Sequence, residues 1–190
     1  VVAFHPDGRH GISGSSRLEV WELSTGRTVR ILEFSEPEIV GNDITFSALQ
    51  VSPNGDRVVA LDRDMWVFDY ETGAQIGEVE IDVFPDSVDL SDDGRWAVTL
   101  GEDFSTEDAV VTLIDLGNMT VADQWRLDDY TGVYEWATVS EYDRVRFIQD
   151  AQTLLLSDGS VLDVLSGERR QLLDVPGSRA ISSIAVQEGR

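Results

Sequence analysis

The chain contains no cysteine, no lysine and only two histidines among its 190 residues. It also has no apolar run approaching the roughly 20 residues that a membrane-spanning helix requires. Without cysteine there is no disulfide framework, no thiolate metal site and no thiol nucleophile. Every basic residue is therefore an arginine, 14 in all, set against 36 acidic residues for a formal net charge of −22. A surface of that sign repels phosphate, which excludes nucleic acid and anionic membrane as expected partners and favours a basic protein or peptide. The acids are spread along the whole chain and form no tail. That is the pattern of a solvated acidic shell of the kind salt-adapted proteins carry, and equally that of an ordinary acidic surface or of a lysine-poor, high-GC genome.

What is present is a repeat. Four segments combine a β-rich stretch, an acid and a turn: VWELSTG at 20–26, VFDYETG at 67–73, LIDLGN at 113–118 and VLDVLSG at 161–167. The aligned acids Glu22, Asp69, Asp115 and Asp163 are spaced 47, 46 and 48 residues apart, about the length of one four-stranded propeller blade. A carboxylate closing a strand just before a turn can accept the turn's backbone N–H groups, so these acids are read as structural. Gly26, Gly73 and Gly167 follow three of them, where a hairpin loop needs a residue with positive φ.

A second marker precedes each of the first three segments: FHPDGR at 4–9, VSPNGDR at 51–57 and LSDDGR at 90–95. Each joins turn-forming Asp, Asn or Pro to a glycine, Gly8, Gly55 or Gly94, and reads as a hairpin turn. For the fourth copy, VSEYDR at 139–144 gives turn intervals of 47, 39, 48 and 47, and that register is adopted. The alternative, FIQDAQ at 147–152, gives 57 and then 38.

The expected fold is therefore all-β, a β-propeller of about four four-stranded antiparallel blades. Blade 1 covers about 1–34, blade 2 about 45–81, blade 3 about 86–127 and blade 4 about 133–175, with a fifth repeat starting at 181–190. Within blade 3, residues 102–108 are expected to form a protruding polar loop. Within blade 4, strands are expected at 133–139, 144–150, 159–165 and 169–175. Because the same element stands at both ends, Val1–Phe4 and Ile181–Val186, an open arc of a larger propeller is expected over a closed ring of four.

With both markers placed, the chain resembles the prokaryotic WD40 and YVTN-like repeat families, whose blades carry a Ser-Pro-Asp-Gly turn, a Trp-Asp-like strand end and a Thr-Gly turn. Trp21-Glu22 stands at the Trp-Asp position, and Phe68-Asp69, Ile114-Asp115 and Leu162-Asp163 keep an apolar residue before the acid. No Gly-His pair precedes a first strand, so the His-Asp network of the better-known members is not expected. The resemblance implies a non-catalytic protein-interaction or scaffold module that binds a protein or peptide, the remaining blades of a larger propeller among its partners. The alternatives are a lactonase- or hydrolase-like propeller enzyme or accessory domain, and a periplasmic or surface structural propeller.

No catalytic, cofactor or metal residue is assigned. Gly-x-Ser-x-Gly is absent, so a serine hydrolase is not expected. The acids of 102–108 lack the ordered spacing of a calcium loop. Propellers that dock a quinone place a Trp four residues after the turn glycine, where this chain has Arg30, Gly77 and Gln171. His5 and His10 flank the first turn and are read as solvent-facing, with no third ligand at a recognisable metal spacing. Trp21, Trp66, Trp96, Trp125 and Trp136 are read as packing between blades. Exposed aromatics on one rim would favour a binding module, whereas His and acids converging on the channel would favour an enzyme.

Overall fold

A computed structural model describes residues 1–14, 17–36, 45–106, 108–127, 145–148 and 151–173. All sixteen of its elements are strands, in four separate four-stranded antiparallel sheets. Blade 1 is β1 (Val2–Phe4), β2 (His10–Gly14), β3 (Leu18–Glu22) and β4 (Arg27–Leu32). Blade 2 is β5 (Ala48–Val51), β6 (Arg57–Leu61), β7 (Met65–Asp69) and β8 (Gln75–Val79). Blade 3 is β9 (Phe84–Leu90), β10 (Trp96–Asp103), β11 (Asp108–Asp115) and β12 (Thr120–Leu127). Blade 4 is β13 (Val145–Ile148), β14 (Thr153–Leu156), β15 (Ser160–Asp163) and β16 (Arg169–Gln171).

Each sheet is a simple meander, its strands paired in chain order. The turns joining first to second and third to fourth strands therefore share one face, called here the turn face. The second-to-third turns and the links between blades share the opposite face, called here the rim face. First strands adjoin in the order β1, β5, β9, β13, which places them innermost. Among the described residues no comparable contact joins blade 4 to blade 1, so the sheets form an arc and do not close. The flank of blade 1 turned away from blade 2 exposes Val2 and Phe4, at 57% and 66%.

Three apolar cores lie one at each junction. Ile12, Leu18, Val20 and Leu32 of blade 1 pack with Val58, Trp66 and Phe68 of blade 2. Val59, Met65 and Val67 pack with Leu90, Val110 and Ile114 of blade 3, and Val98, Leu100 and Val111 with Leu154, Leu156 and Leu162 of blade 4. A blade thus buries both faces, which is why β6, β7, β10 and β11 read as near-continuous apolar runs and not as alternating ones. Among the described residues each core joins one blade to the next, as in other repeat architectures.

Blade 4 corrects the register adopted from the sequence. Val145–Ile148, expected inside a second strand at 144–150, is the first strand of its sheet and pairs with Thr153–Leu156. The turn between them is the FIQDAQ copy, not VSEYDR. Ala151, at φ 56°, takes the left-handed conformation that Gly8, Gly55 and Gly94 take at 66°, 81° and 66°. The strand expected at 133–139, Tyr142, Trp136 and the fifth repeat at 181–190 lie outside the described residues. An alanine at positive φ costs about 1 kcal/mol relative to glycine. Ala151→Gly should therefore raise the unfolding free energy by up to about 1 kcal/mol in a denaturant titration, and a loss of stability would contradict this turn assignment.

The expected loop at 102–108 is also shorter than read. Glu102 and Asp103 continue β10, and Asp108 opens β11, with Glu102 opposite Ala109 and Asp103 opposite Asp108. Arg126 from β12 reaches both acids, at 2.7 Å from Asp103 and 3.7 Å from Asp108, so their repulsion does not end the ladder. Hydrogen bonds from the Ser105 side chain, Arg126 and the Ser105 backbone lower the Asp103 pKa to about 2.

Candidate functional site

The repeat acids lie at the ends of β3, β7, β11 and β15, on the turn face. Asp69 accepts the backbone N–H and hydroxyl of Thr72, both at 2.7 Å. Asp115 accepts from the N–H groups of Gly117 and Asn118, and Asp163 from those of Leu165 and Ser166. Glu22, one methylene longer, takes only the Thr25 hydroxyl, at 2.7 Å. Gly26, Gly73 and Gly167 follow at φ 68°, 76° and 69°, and in blade 3 the equivalent conformation falls on Met119 at 53°. These acids stay one per blade and converge on no common centre, so they build turns.

Two other places gather chemistry. On the turn face, between blades 1 and 2, lies a cavity of about 720 Å³, lined by His5, Asp7, His10 and Arg30 on one side and Asp56 and Glu71 on the other. His5 is not solvent-facing as expected; its side chain is 11% exposed. Its ring stacks on Tyr70 at 4.0 Å, and its Nε2 donates to the Gly55 carbonyl at 3.0 Å. Both histidines meet Asp7, at 3.1 Å from His5 and 2.6 Å from His10. Burial pushes the Asp7 carboxyl up, but hydrogen bonds from the Arg9 N–H and from His10 outweigh it and hold it well below the usual carboxylate range. Among the described residues this is the group of His and acids within reach of one ion. The third ligand missed in the sequence is Asp7, already committed to the turn. No Ser, Thr or Cys is among the residues lining the cavity.

On the rim face, Phe84 opens β9 and Phe104 sits in the turn between β10 and β11. Their rings lie 4.5 Å apart at 39°, and they are 41% and 58% exposed. The Arg63 guanidinium, in the turn between β6 and β7, lies over the Phe84 ring at 5.7 Å. Blades 2 and 3 thus build one aromatic patch between them. The exposed aromatics are phenylalanines, whereas the sequence had directed attention to tryptophan. Trp66 is buried, and Trp21, Trp96 and Trp125 are half-buried. Gly101 makes the patch possible, because β10 approaches the Phe84–Pro85 backbone through a bulge at Leu100/Gly101 and a Cβ would fall on the Phe84 carbonyl.

Four antiparallel blades meeting through their faces around innermost first strands define a β-propeller. The solved β-propeller domain of Cps50 (Swd1) from Myceliophteria thermophila is similar, with a TM-score of 0.69 at 17% identity over 97% of this chain. Hydrazine synthase of Kuenenia stuttgartiensis is similar with a TM-score of 0.65 at 18% identity over 89% of it. This chain spans about half the length of each, 57% and 47% respectively. At such identities the likeness is one of fold. No protein-family model matches the chain, and no curated protein matches its sequence.

Proposed function

We propose that this chain is a non-catalytic protein-interaction or scaffold module that binds through the Phe84–Phe104–Arg63 patch on its rim face. The observation that carries the reading is the exposed aromatic pair itself. Two adjoining phenylalanine rings left in water are unusual for a fold that buries Phe34, Phe46 and Phe68. Aromatic anchors dominate binding energy where a partner covers them. Asp62 and Asp64 in the turn beside Arg63, Asp82 and Asp86 beside Phe84, and Asp103 beside Phe104 give the same face an acidic border. The fitting partner is a protein or peptide segment with an apolar anchor flanked by arginine or lysine.

The wider reading rests on the same features. The blades are of the prokaryotic WD40/YVTN-like type by their turn markers, and further blades of a larger propeller cover the apolar flank of blade 1. Neither nucleic acid nor membrane suits the charge, and no cofactor is required. An enzyme would need a nucleophile or a general base aimed at a substrate, and the carboxylates lining the turn-face cavity include Asp7 and Asp69, whose oxygens are engaged by their own turns.

A random peptide library displayed on phage and selected on the immobilised chain tests the reading. Selected sequences should pair basic residues with an aromatic or aliphatic anchor and bind more weakly as salt screens the charges. Phe104→Ala should weaken them by at least about tenfold, or 1.4 kcal/mol. Its exposed ring makes it a variant that keeps the fold. Acidic selected sequences, or affinities indifferent to both Phe104→Ala and Phe84→Ala, would refute the proposal.

A further inference from the structure

We propose that His5, Asp7 and His10, the chain's two histidines and the acid between them, form a site for a single divalent transition-metal ion of the zinc class, open to the turn-face cavity. This turn shares one device with those of the next two blades. In blade 2, Asn54 Oδ1 accepts the Asp56 N–H at 3.2 Å, and in blade 3, Asp93 Oδ1 accepts the Arg95 N–H at 3.0 Å. Asp7 Oδ1 does the same work for the Arg9 and His10 N–H groups, at 2.7 and 3.1 Å. The turn needs no more than that oxygen. Asp7 Oδ2 is left over, and it is this oxygen that faces both imidazoles.

His5 likewise differs from its counterparts in the other turns. Where blade 1 has His5, blades 2 and 3 have Ser52 and Ser91, whose hydroxyls accept the N–H groups of Arg57 and Trp96, each at 2.9 Å. His5 instead spends its Nε2–H on the Gly55 carbonyl of the next blade, which fixes the tautomer and leaves an Nδ1 lone pair pointing into the group. A backbone carbonyl orienting the far nitrogen of an imidazole is the outer-shell arrangement of metal-ligating histidines. Stacking on Tyr70 holds the ring plane. The lone pair now receives the Asp7 N–H at 3.2 Å, a long contact that an ion would displace.

His5 Nδ1, Asp7 Oδ2 and His10 Nδ1 all lie within 4.8 Å of one another. Ligands at about 2.0–2.2 Å from a tetrahedral ion sit about 3.4 Å apart. The His5–Asp7 separation of 3.1 Å is near that value, and the 2.6 Å between Asp7 and His10 requires the half-exposed His10 ring to swing outward. Binding requires the His10 ring to carry its proton on Nε2 in place of Nδ1, a tautomer exchange through water with no net loss of a proton from the neutral ring, and it replaces the hydrogen bond to Asp7 with two metal–ligand bonds. Two imidazoles and one carboxylate select zinc, nickel, cobalt or copper over magnesium or calcium, which want an all-oxygen shell. Three protein ligands leave a coordination position facing the cavity for water or a partner's side chain.

The test is calorimetric titration of the metal-free chain with ZnCl2 in about 0.3 M NaCl, where diffuse attraction to the acidic surface is screened. A single Zn2+ per chain is expected, not displaced by equal concentrations of Mg2+. His5→Ser and Asp7→Asn install residues the chain already uses at the same turn positions, Ser52 and Asn54, so the turn survives. Each should weaken zinc by at least about tenfold. Because the chain has only two histidines, a long-range 1H–15N spectrum of the parent protein gives a reading independent of any variant, and both Nδ1 signals should move on adding zinc. Unmoved imidazole nitrogens, several equivalent ions per chain, or affinity unchanged in both variants would overturn the proposal.

Discussion

Gly101→Ala should be the most damaging alanine substitution among the described glycines, lowering stability by about 3 kcal/mol and the melting temperature of a chain this size by about 6–12 °C. The added Cβ would meet the Phe84 carbonyl oxygen and carbon and the Pro85 Cα. All three are backbone atoms, so no side chain can turn aside, and β9 must part from β10 at the bulge. Gly26→Ala is the matched control. Gly26 sits at φ 68° with nothing within 4 Å of its added Cβ, so it should lose only the cost of the left-handed conformation, about 1 kcal/mol. Differential scanning calorimetry of the two variants checks the order, and equal losses would contradict the bulge geometry. Gly101→Ala should also weaken peptide binding, because Phe84 is displaced with its strand.

Removing Arg146 should have the next largest effect. Asp89, on the innermost strand of blade 3, is 8% exposed and accepts from Arg146 Nη1 at 2.5 Å and from the Phe147 N–H at 2.9 Å. Burial pushes the Asp89 carboxyl up, opposed by the Arg146 guanidinium and the Phe147 N–H. Arg146→Met leaves that carboxylate facing an apolar neighbour. Since the arginine side chain is one-third exposed, the loss should be about 2 kcal/mol, below that for a fully buried pair. Adding Asp89→Leu should recover most of it, because an apolar pair needs no partner. Chemical denaturation of the two single variants and the double variant checks this. Additive losses would mean that Asp89 and Arg146 do not couple blades 3 and 4.

The arrangement of blades was legible because a propeller repeats both its turn chemistry and its strand ends. Asp69, Asp115 and Asp163 mark the same corner in three blades, and Gly8, Gly55 and Gly94 the same first turn. The fourth register went astray where that chemistry changed. Ala151 holds a left-handed position without being glycine, and regular spacing then favoured a copy about eight residues too early. Met119 likewise holds a left-handed position without being glycine, in the blade 3 turn that LIDLGN marks. Its side chain lies where a Cβ on Gly77 of β8 would stand, so the turn and its neighbouring strand have exchanged their usual small and large residues.

The sites were harder to read than the frame. Phe84 and Phe104 are 20 residues apart and meet only because β9 and β10 pair, and nothing in their local sequence marks them as exposed. His5, Asp7 and His10 are consecutive enough to be noticed. Yet the spacing becomes a group only when the turn folds Asp7 Oδ2 back between two rings, and the Gly55 carbonyl that orients His5 comes from another blade.

The central functional claim is that the rim face between blades 2 and 3 binds a basic, apolar-anchored segment, and hydrogen–deuterium exchange of the chain with a selected peptide tests it most directly. The account predicts slowed exchange at 62–65, 82–86 and 102–106, with residues 5–10 on the opposite face unchanged. Protection confined to the turn face, or to the flank of blade 1 around Val2 and Phe4, would contradict it.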